Sequence, residues 1–317
     1  LLTIGYSSCD FLDIVPDEIT TEADAFKDRN AAKNFVYSCY GYLPQSNVAS
    51  GSLDLLTGDE VITAFEHETF ASFPKGNYTA SSPVISYWNT FFQGLRQCYI
   101  FLENVDKVPD LTESVKTDYI AQVKFLIAYY HYQLARCYGP IILIKELPDV
   151  NASQAEYLPR TSYDECVDWI CNLLDEAASS LPAIRTNKED YGLATSVGAK
   201  AVKAKMLLYA ASPLFNGNSS FYSNFTDKSG SQLMPLTYDP NKWVKAKTAI
   251  KEAIDLAEQN GHALYVKQDY KIGNEDANPY PAAGPVRCLR TSLVDWDSRN
   301  PEVLLAETRS EGSYGIQ

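Results

Sequence analysis

Aromatic and hydrogen-bonding side chains are interleaved in one stretch of the chain. Its members are Phe65, His67, Phe70, Phe73, Asn77 and Tyr78. Sugar rings have apolar C–H faces that stack on aromatic rings and hydroxyl rims that pair with polar groups, and ligand sites generally combine apolar walls with a few polar side chains. Aromatic loop residues also pack such loops onto their own scaffold. The stretch therefore indicates either a sugar-binding surface or a self-packed loop.

Sequence patterns typical of catalysis are absent. The histidines His67, His131 and His262 form no HExxH pair, and no GxSxG or P-loop motif occurs. Asp59 and Glu60 are adjacent, so they do not easily flank a sugar ring as glycosidase carboxylates must. Acidic capping is the commoner role of such a pair. The sequence favours a non-enzyme, although carboxylates brought together by folding leave glycoside hydrolysis open as an alternative.

The chain has no clear metal or cofactor motif. Its seven cysteines include no CxxC pair, which argues against zinc-ribbon and thioredoxin-type sites. Asp227, Ser229 and Ser231 have the spacing of a calcium loop, but Gln232 stands where glycine is needed and no glutamate closes the loop. We predict no cofactor and no metal. Whether the cysteines pair with one another stays open.

The overall charge excludes one class of partner. The formal net charge is −13 and the isoelectric point is about 4.7. A surface of this sign repels phosphate backbones, so nucleic-acid binding is not expected. Solubility alone can also account for such a charge.

The first residues are typical of an exported lipoprotein. An apolar start and small residues precede Cys9, as in a bacterial lipobox, although Tyr6 stands where an aliphatic residue is usual. We predict that residues 1–8 are the remnant of a signal peptide and that Cys9 carries the lipid. A chance cysteine is the alternative. No stretch reaches 18 apolar residues, so the sequence predicts no membrane-spanning helix.

Apolar residues recur at helical spacing in six segments. These predicted helices cover residues 21–43, 83–108, 112–138, 162–181, 194–211 and 241–258. Thr21 is the predicted cap of the first, and Ser162 to Glu165 form a predicted capping box on the fourth. In the sixth, Trp243 leads a stripe that continues through Ala246, Ile250, Ala253, Ile254 and Ala257. The pattern predicts a mainly α, tetratricopeptide-like scaffold of antiparallel pairs, without a strict 34-residue repeat.

Long irregular segments separate these helices. Residues 44–82, 212–240 and 261–300 are longer than the connections of most compact domains, which favours functional loops. The second segment carries Phe215, Asn218, Phe221, Tyr222 and Phe225. We interpret it as a structural cover over a helix pair, with a ligand surface as the alternative.

Short motifs in a fixed order support a family resemblance. They are Cys9 to Asp13 followed by Pro16, Thr21 to Phe26, Gly58 to Glu60, Ala128 to Pro140, Pro159 to Ser162, Ala204 to Pro213, and Asn300 to Val303. Together they resemble the SusD/RagB family of Bacteroidetes nutrient-binding lipoproteins. The resemblance covers nearly the whole chain. Family chains are considerably longer, so we expect residues 9–317 to be a SusD-like domain truncated at both ends, without its C-terminal part.

The resemblance implies a function and a set of partners. It implies a lipid-anchored protein at the outer surface of the outer membrane. Such a protein captures oligosaccharides or polysaccharides and delivers them to a SusC-like TonB-dependent transporter. By position it points to Phe65, His67 and Phe70 as ligand contacts, and to Arg309 and Tyr314 in the segment after Asn300 to Val303. The alternatives are capture of peptides, as in some relatives, and a non-lipidated scaffold that binds partner proteins.

Overall fold

The chain is folded as a stack of helices. A computed structural model describes residues 22–44, 69–149, 151, 158–266, 300–306 and 308. Within these ranges the only β contacts are two isolated bridges, Thr79 with Ser82 and Thr226 with Gln232. The predicted mainly α fold is confirmed. The predicted signal remnant and Cys9 lie outside the described residues.

Eight α-helices are found in the part of the chain that the structure describes. They are α1 (Glu22–Ala25), α2 (Arg29–Tyr40), α3 (Trp88–Asn104), α4 (Glu113–Tyr138), α5 (Tyr163–Ser180), α6 (Ser196–Ala211), α7 (Ser219–Tyr222) and α8 (Asn241–Gln259). Short 3-10 turns occupy Thr69–Ser72, Val105–Lys107 and Lys188–Asp190. The six segments with helical periodicity all contain helices.

The prediction of one continuous helix over residues 21–43 is wrong. The chain turns between α1 and α2, and Asp28 has the extended backbone of an N-cap residue. Its carboxylate Oδ1 accepts hydrogen bonds from the backbone N–H groups of Asn30 and Ala31, both at 2.9 Å. A side chain that satisfies two free N–H groups starts a new helix in this way.

The predicted capping box at the start of α5 is also wrong. The Ser162 side chain makes no capping hydrogen bond. Instead, the Tyr163 N–H donates to the Leu233 carbonyl oxygen at 2.8 Å, so the 212–240 segment supplies a hydrogen-bond acceptor for the first turn of α5. A hydrogen bond to a residue distant in sequence is found at this helix start in place of the predicted local capping bond.

The larger helices pack in sequence as antiparallel neighbours. α2 lies against α3 and α4, and the stack continues through α5 and α6 to α8. Ion pairs mark the register: Lys124 of α4 pairs with Glu176 of α5, and Lys200 and Lys203 of α6 both pair with Asp175 of α5. The predicted arrangement of helix pairs is therefore observed.

The longest helix, α4, is the centre of the core. It has 26 residues, and α3 and α5 pack on it from two sides. Because both sides are covered, most residues from Ala121 to Ala135 are buried, including the polar residues Gln122 and His131. Helices that are apolar on most sides occupy interior positions. α4 is therefore the axis around which the other elements are placed.

The stripe predicted on α8 is only partly buried. Its alanines pack on α6, and Ala246, Ala253 and Ala257 are buried. Trp243 and Ile254 were predicted to share that face, but they are 41% and 50% exposed. The small alanines bring α6 and α8 close together, and the larger side chains overhang the edge of the contact. No helix among the described residues is both long enough and apolar enough to cross a bilayer.

Candidate functional site

A compact loop precedes α3 and contains three of the predicted ligand contacts, Phe70, Asn77 and Tyr78. It begins with the turn Thr69–Ser72, where Ala71 is buried. The Gly76 N–H then donates to the Phe73 carbonyl oxygen at 2.9 Å, and the Asn77 N–H donates to that of Ser72 at 3.0 Å. Gly76 has a φ of 62°, a left-handed conformation that glycine adopts at little cost. These bonds turn the chain sharply and project the next residues outward.

Asn77 and Tyr78 lie at the tip of this loop. The Tyr78 side chain is 52% exposed, and its ring contacts the Phe73 ring with centroids 5.5 Å apart and planes inclined at 58°. This contact restricts the orientation of the Tyr78 ring. Asn77 is exposed, and its side-chain amide makes no hydrogen bond to another described residue. The tip therefore offers an aromatic ring beside an amide that can both donate and accept.

The loop closes in a tight turn rich in hydroxyl groups. Thr79 and Ser82 exchange two backbone hydrogen bonds of 3.1 Å. The Thr79 hydroxyl accepts from the Ser82 N–H at 3.0 Å and lies 3.2 Å from the Ser81 hydroxyl. Residues 74–83 are all exposed. The loop is thus shaped by its own backbone bonds and presents its side chains to solvent.

The C-terminal end of the loop is clamped to the end of α4. The Tyr87 N–H donates to the Tyr138 hydroxyl at 2.9 Å, and Trp88 meets Tyr138 edge to face with ring centroids 5.2 Å apart. The Arg160 guanidinium lies 5.1 Å from the centre of the Trp88 ring and donates to the Pro140 carbonyl oxygen at 2.6 Å. The loop is therefore attached to the C-terminal end of α4, the helix at the centre of the core.

Several predicted site residues lie outside the described residues. These are Phe65, His67, Arg309 and Tyr314, together with the lipidation candidate Cys9. Asp59 and Glu60, for which acidic capping was favoured, also lie outside the described residues. Phe70 is in the turn Thr69–Ser72, where only its backbone is described. Their roles remain predictions.

The segment after Asn300 lies at the other end of α4. The Thr308 hydroxyl donates to the Tyr191 carbonyl oxygen at 3.3 Å, and the same α5–α6 connection carries Arg185, which is paired with Asp118 near the start of α4. Trp88 packs on Tyr138 at the end of that helix. At 1.5 Å per residue these two ends are about 30 Å apart. The structure does not bring Thr308 next to the start of α3.

Glycines make room for this segment. A Cβ on Gly192, whose φ is 95°, would lie 2.6 Å from the Thr308 hydroxyl oxygen, and one on Gly198 would lie 3.3 Å from the Leu304 carbonyl oxygen. Two shallow cavities of about 240 and 290 Å³ flank the contact. These cavities were not predicted, because they depend on a contact between distant parts of the chain.

The aromatic loop at 212–240 is a structural cover. Phe215 is buried and stacks on Tyr163 at 4.8 Å with an interplanar angle of 9°. Asn216 donates to the Asp239 carbonyl oxygen and accepts from the Asp239 N–H, both at 2.9 Å, which ties the two ends of the segment together. Phe221 is the exception, with 75% of its side chain exposed. The interpretation as a cover is confirmed.

The two described histidines have structural hydrogen bonds. The Ile144 N–H donates to His131 Nε2 at 3.1 Å, so the proton is on Nδ1, which donates to the Ile127 carbonyl oxygen at 2.8 Å. Burial lowers the pKa of His131 to about 4, which keeps the ring neutral. His262 Nδ1 lies 3.1 Å from the Pro301 carbonyl oxygen.

The weak calcium-loop pattern is a hydrogen-bonded turn. Asp227 Oδ1 accepts from the Ser229 and Ser231 N–H groups at 2.8 and 2.9 Å, and from the Ser229 hydroxyl. Across the described part of the chain, no group of three or more His, Cys, Asp or Glu residues is arranged to hold a metal ion.

Comparison with known proteins gives the class of protein to which the chain belongs. A family model described as SusD-like, starch-binding and associating with the outer membrane matches residues 10–208. The match covers more than half of the chain, and the chain belongs to the SusD-like family. The predicted family resemblance is confirmed.

Individual relatives agree with this assignment. The solved structure of BT4246 has 35% sequence identity and a TM-score of 0.71, and the match covers 77% of this chain and 42% of that one. A laminarin-binding SusD-like protein has 21% identity and a TM-score of 0.50, covering 59% and 41% of the two chains. A SusD-like protein of Formosa agariphila is 22% identical over 63% of this chain and 40% of its own length. The chain therefore spans about two fifths of the length of these relatives.

Proposed function

We propose that this protein binds glycans at the outer membrane and that the loop ending at Asn77 and Tyr78 forms part of the binding surface. The observation that carries the proposal is the exposed Tyr78 ring, held by Phe73 beside a free amide, on a loop clamped to the scaffold. A ring of this kind stacks on the C–H face of a sugar, and the amide pairs with a hydroxyl. Such side chains bind with little loss of conformational freedom.

The charge of the loop favours a neutral ligand. Of residues 69–82, only Lys75 carries a charge, whereas the chain as a whole carries −13. A polyanionic glycan would be repelled by the molecule at long range and would find a single cation at the loop. We therefore expect an uncharged oligosaccharide to bind better than a uronate-rich or sulfated one.

The family and one structural neighbour support binding rather than catalysis. The family is described as starch-binding, and a neighbour of the same fold is named for laminarin binding. We propose that this protein likewise holds its ligand without cleaving it. Release of reducing ends from a polysaccharide by the purified protein would contradict this part of the proposal.

Two further parts of the proposal concern location and partner. Residues 9–317 are proposed to form a SusD-like domain anchored through a lipid on Cys9, which delivers its ligand to a SusC-like TonB-dependent transporter. Metabolic labelling with a palmitate analogue tests the anchor: wild type should be labelled and Cys9→Ala should not. Co-purification of the transporter with the tagged, lipidated protein tests the partner.

Calorimetric titration against neutral glycans, acidic glycans and peptides tests the ligand class. We expect saturable binding of a neutral glycan, and Tyr78→Ala should weaken it roughly tenfold, as loss of a stacked aromatic contact does. Phe221→Ala is the matched control, because Phe221 is an exposed ring on α7, in the separate 212–240 segment. If only peptides bind, the ligand is a peptide and not a glycan. If Tyr78→Ala and Phe221→Ala weaken binding equally, the loop is not part of the binding site.

A further inference from the structure

Two buried cysteines meet where α2 crosses α3. Cys39 and Cys98 are far apart in the chain, and both are completely buried as free thiols. The two helices are in contact, and both cysteines belong to the same buried core. Burial raises the pKa of the Cys98 thiol, and the neighbouring Cys39 thiol raises it further. The Cys39 carbonyl oxygen also accepts a hydrogen bond from the buried Tyr130 hydroxyl, which fixes the end of α2 on α4.

The residues just after α2 pack tightly on α3 at this crossing. A Cβ placed on Gly94 would lie 2.9 Å from the Cβ of Tyr42. Disulfides need Cβ atoms about 3.5–4.5 Å apart. Because α2 and α3 run in opposite directions, Cys98, one turn after Gly94, faces Cys39, which lies almost one turn before Tyr42. A disulfide between the two cysteines requires these facing turns to hold the two Cβ atoms in that range.

We propose that Cys39 and Cys98 form a disulfide that joins α2 to α3 in the exported protein. The bond closes a loop of about 60 residues, for which the entropic stabilisation of a cross-link is large. That loop contains Asn77 and Tyr78. The disulfide would hold together the two helices that flank the candidate ligand loop, so that both of its ends start from a fixed position.

The oxidation takes place before the cysteines are buried. In the partly folded chain, one thiolate attacks the disulfide of an exported thiol–disulfide oxidoreductase, which forms a mixed disulfide and releases one thiolate of that enzyme. The second thiolate attacks the chain's sulfur in the mixed disulfide and releases the other enzyme thiolate. The chain loses two electrons and two protons, and the oxidoreductase disulfide becomes two thiols. After folding, the bond is shielded from soluble reductants.

A thiol map of the exported protein tests the proposal. The protein is purified without reductant, its free thiols are alkylated in denaturant, and it is digested with trypsin. We expect the peptides 34–75 and 97–107, which carry Cys39 and Cys98, to be linked to each other. Complete alkylation of both cysteines, or linkage of either to another cysteine, would overturn the proposal. The result does not depend on any ligand and can fail while the proposed glycan binding holds.

Thermal denaturation provides a second measurement. Reduction in denaturant followed by refolding should lower the melting temperature of the wild type by roughly 5 °C. The variant Cys137→Ala is the matched control and should keep both the linked peptides and this shift. Cys98→Ala should show no shift on reduction; if Cys98→Ala does not fold, the thiol maps of wild type and Cys137→Ala decide alone. If the wild-type melting temperature is the same after reduction as after mock treatment, the cross-link is contradicted.

Discussion

Single residues show which features depend on contacts between distant parts of the chain. Asn77 and Tyr78 could be identified from their types and from their place after an acidic motif. Their exposure to solvent could not be predicted from the sequence, because it depends on how residues 69–82 fold back on themselves. Likewise, Trp243 and Ile254 fit the apolar stripe of α8 but overhang its contact with α6. Residue types indicate what a side chain can do, and packing decides whether it is available.

The Arg185–Asp118 ion pair is the residue-scale contact with the clearest expected cost. The guanidinium donates two hydrogen bonds of 3.0 and 2.8 Å to the carboxylate and also donates to the Ala194 carbonyl oxygen, with both side chains largely shielded from solvent. Arg185→Ala leaves Asp118 without this partner, so we expect the free energy of unfolding to fall by about 3 kcal/mol. Urea denaturation measures this change.

Lys251 provides the control for that prediction. It pairs with Asp255 one turn away on α8, and both side chains are exposed. Lys251→Ala should therefore leave the free energy of unfolding almost unchanged. A cost at Arg185 as small as that at Lys251 would show that the buried pair does not stabilise the α5–α6 connection.

At the scale of elements, apolar periodicity was sufficient to locate the helices. Each of the six periodic segments contains a helix because the pattern records which side of the segment is buried. The ends of the helices were predicted less accurately. Asp28 is a strong capping residue inside the segment predicted as continuous, and this signal could have located the break before α2. The absence of a cap at Ser162 could not have been predicted, because the hydrogen-bond acceptor at the start of α5 is the Leu233 carbonyl oxygen of a distant segment.

His131 should make the stability of the helix stack depend on pH. Its folded-state pKa is about 4, whereas an unfolded histidine titrates near 6.5, so the unfolded chain takes up the proton first as the pH falls. The contribution to stability is complete above pH 6.5 and is lost between there and pH 4. From pH 7 to pH 5 we expect the free energy of unfolding to fall by about 2 kcal/mol. Urea denaturation at both pH values measures the change.

Replacement of the titrating ring isolates this effect. His131→Gln keeps polar atoms that can bond the same two backbone groups but has no group that titrates in this range. Its free energy of unfolding should be nearly the same at pH 7 and pH 5, whatever its absolute value. A variant with the wild-type pH dependence would assign the effect to other groups.

At the scale of the whole molecule, the described part of the chain is a helical scaffold that holds irregular segments on its surface. α4 connects its two ends, with the loop before α3 at one and the segment through Thr308 at the other. The helical architecture and the family could be inferred from sequence, because both depend on motifs along most of the chain. The placement of the loops could not, since it depends on contacts such as Tyr87 with Tyr138 that join residues far apart in sequence.

The position of a bound sugar tests the central claim most directly. A crystal structure with the neutral oligosaccharide that binds most tightly in titration would show it. We expect a sugar ring to stack on the face of Tyr78, with a hydroxyl group within hydrogen-bonding distance of the Asn77 amide. A sugar bound elsewhere, with the Tyr78 ring still open to solvent, would contradict the account.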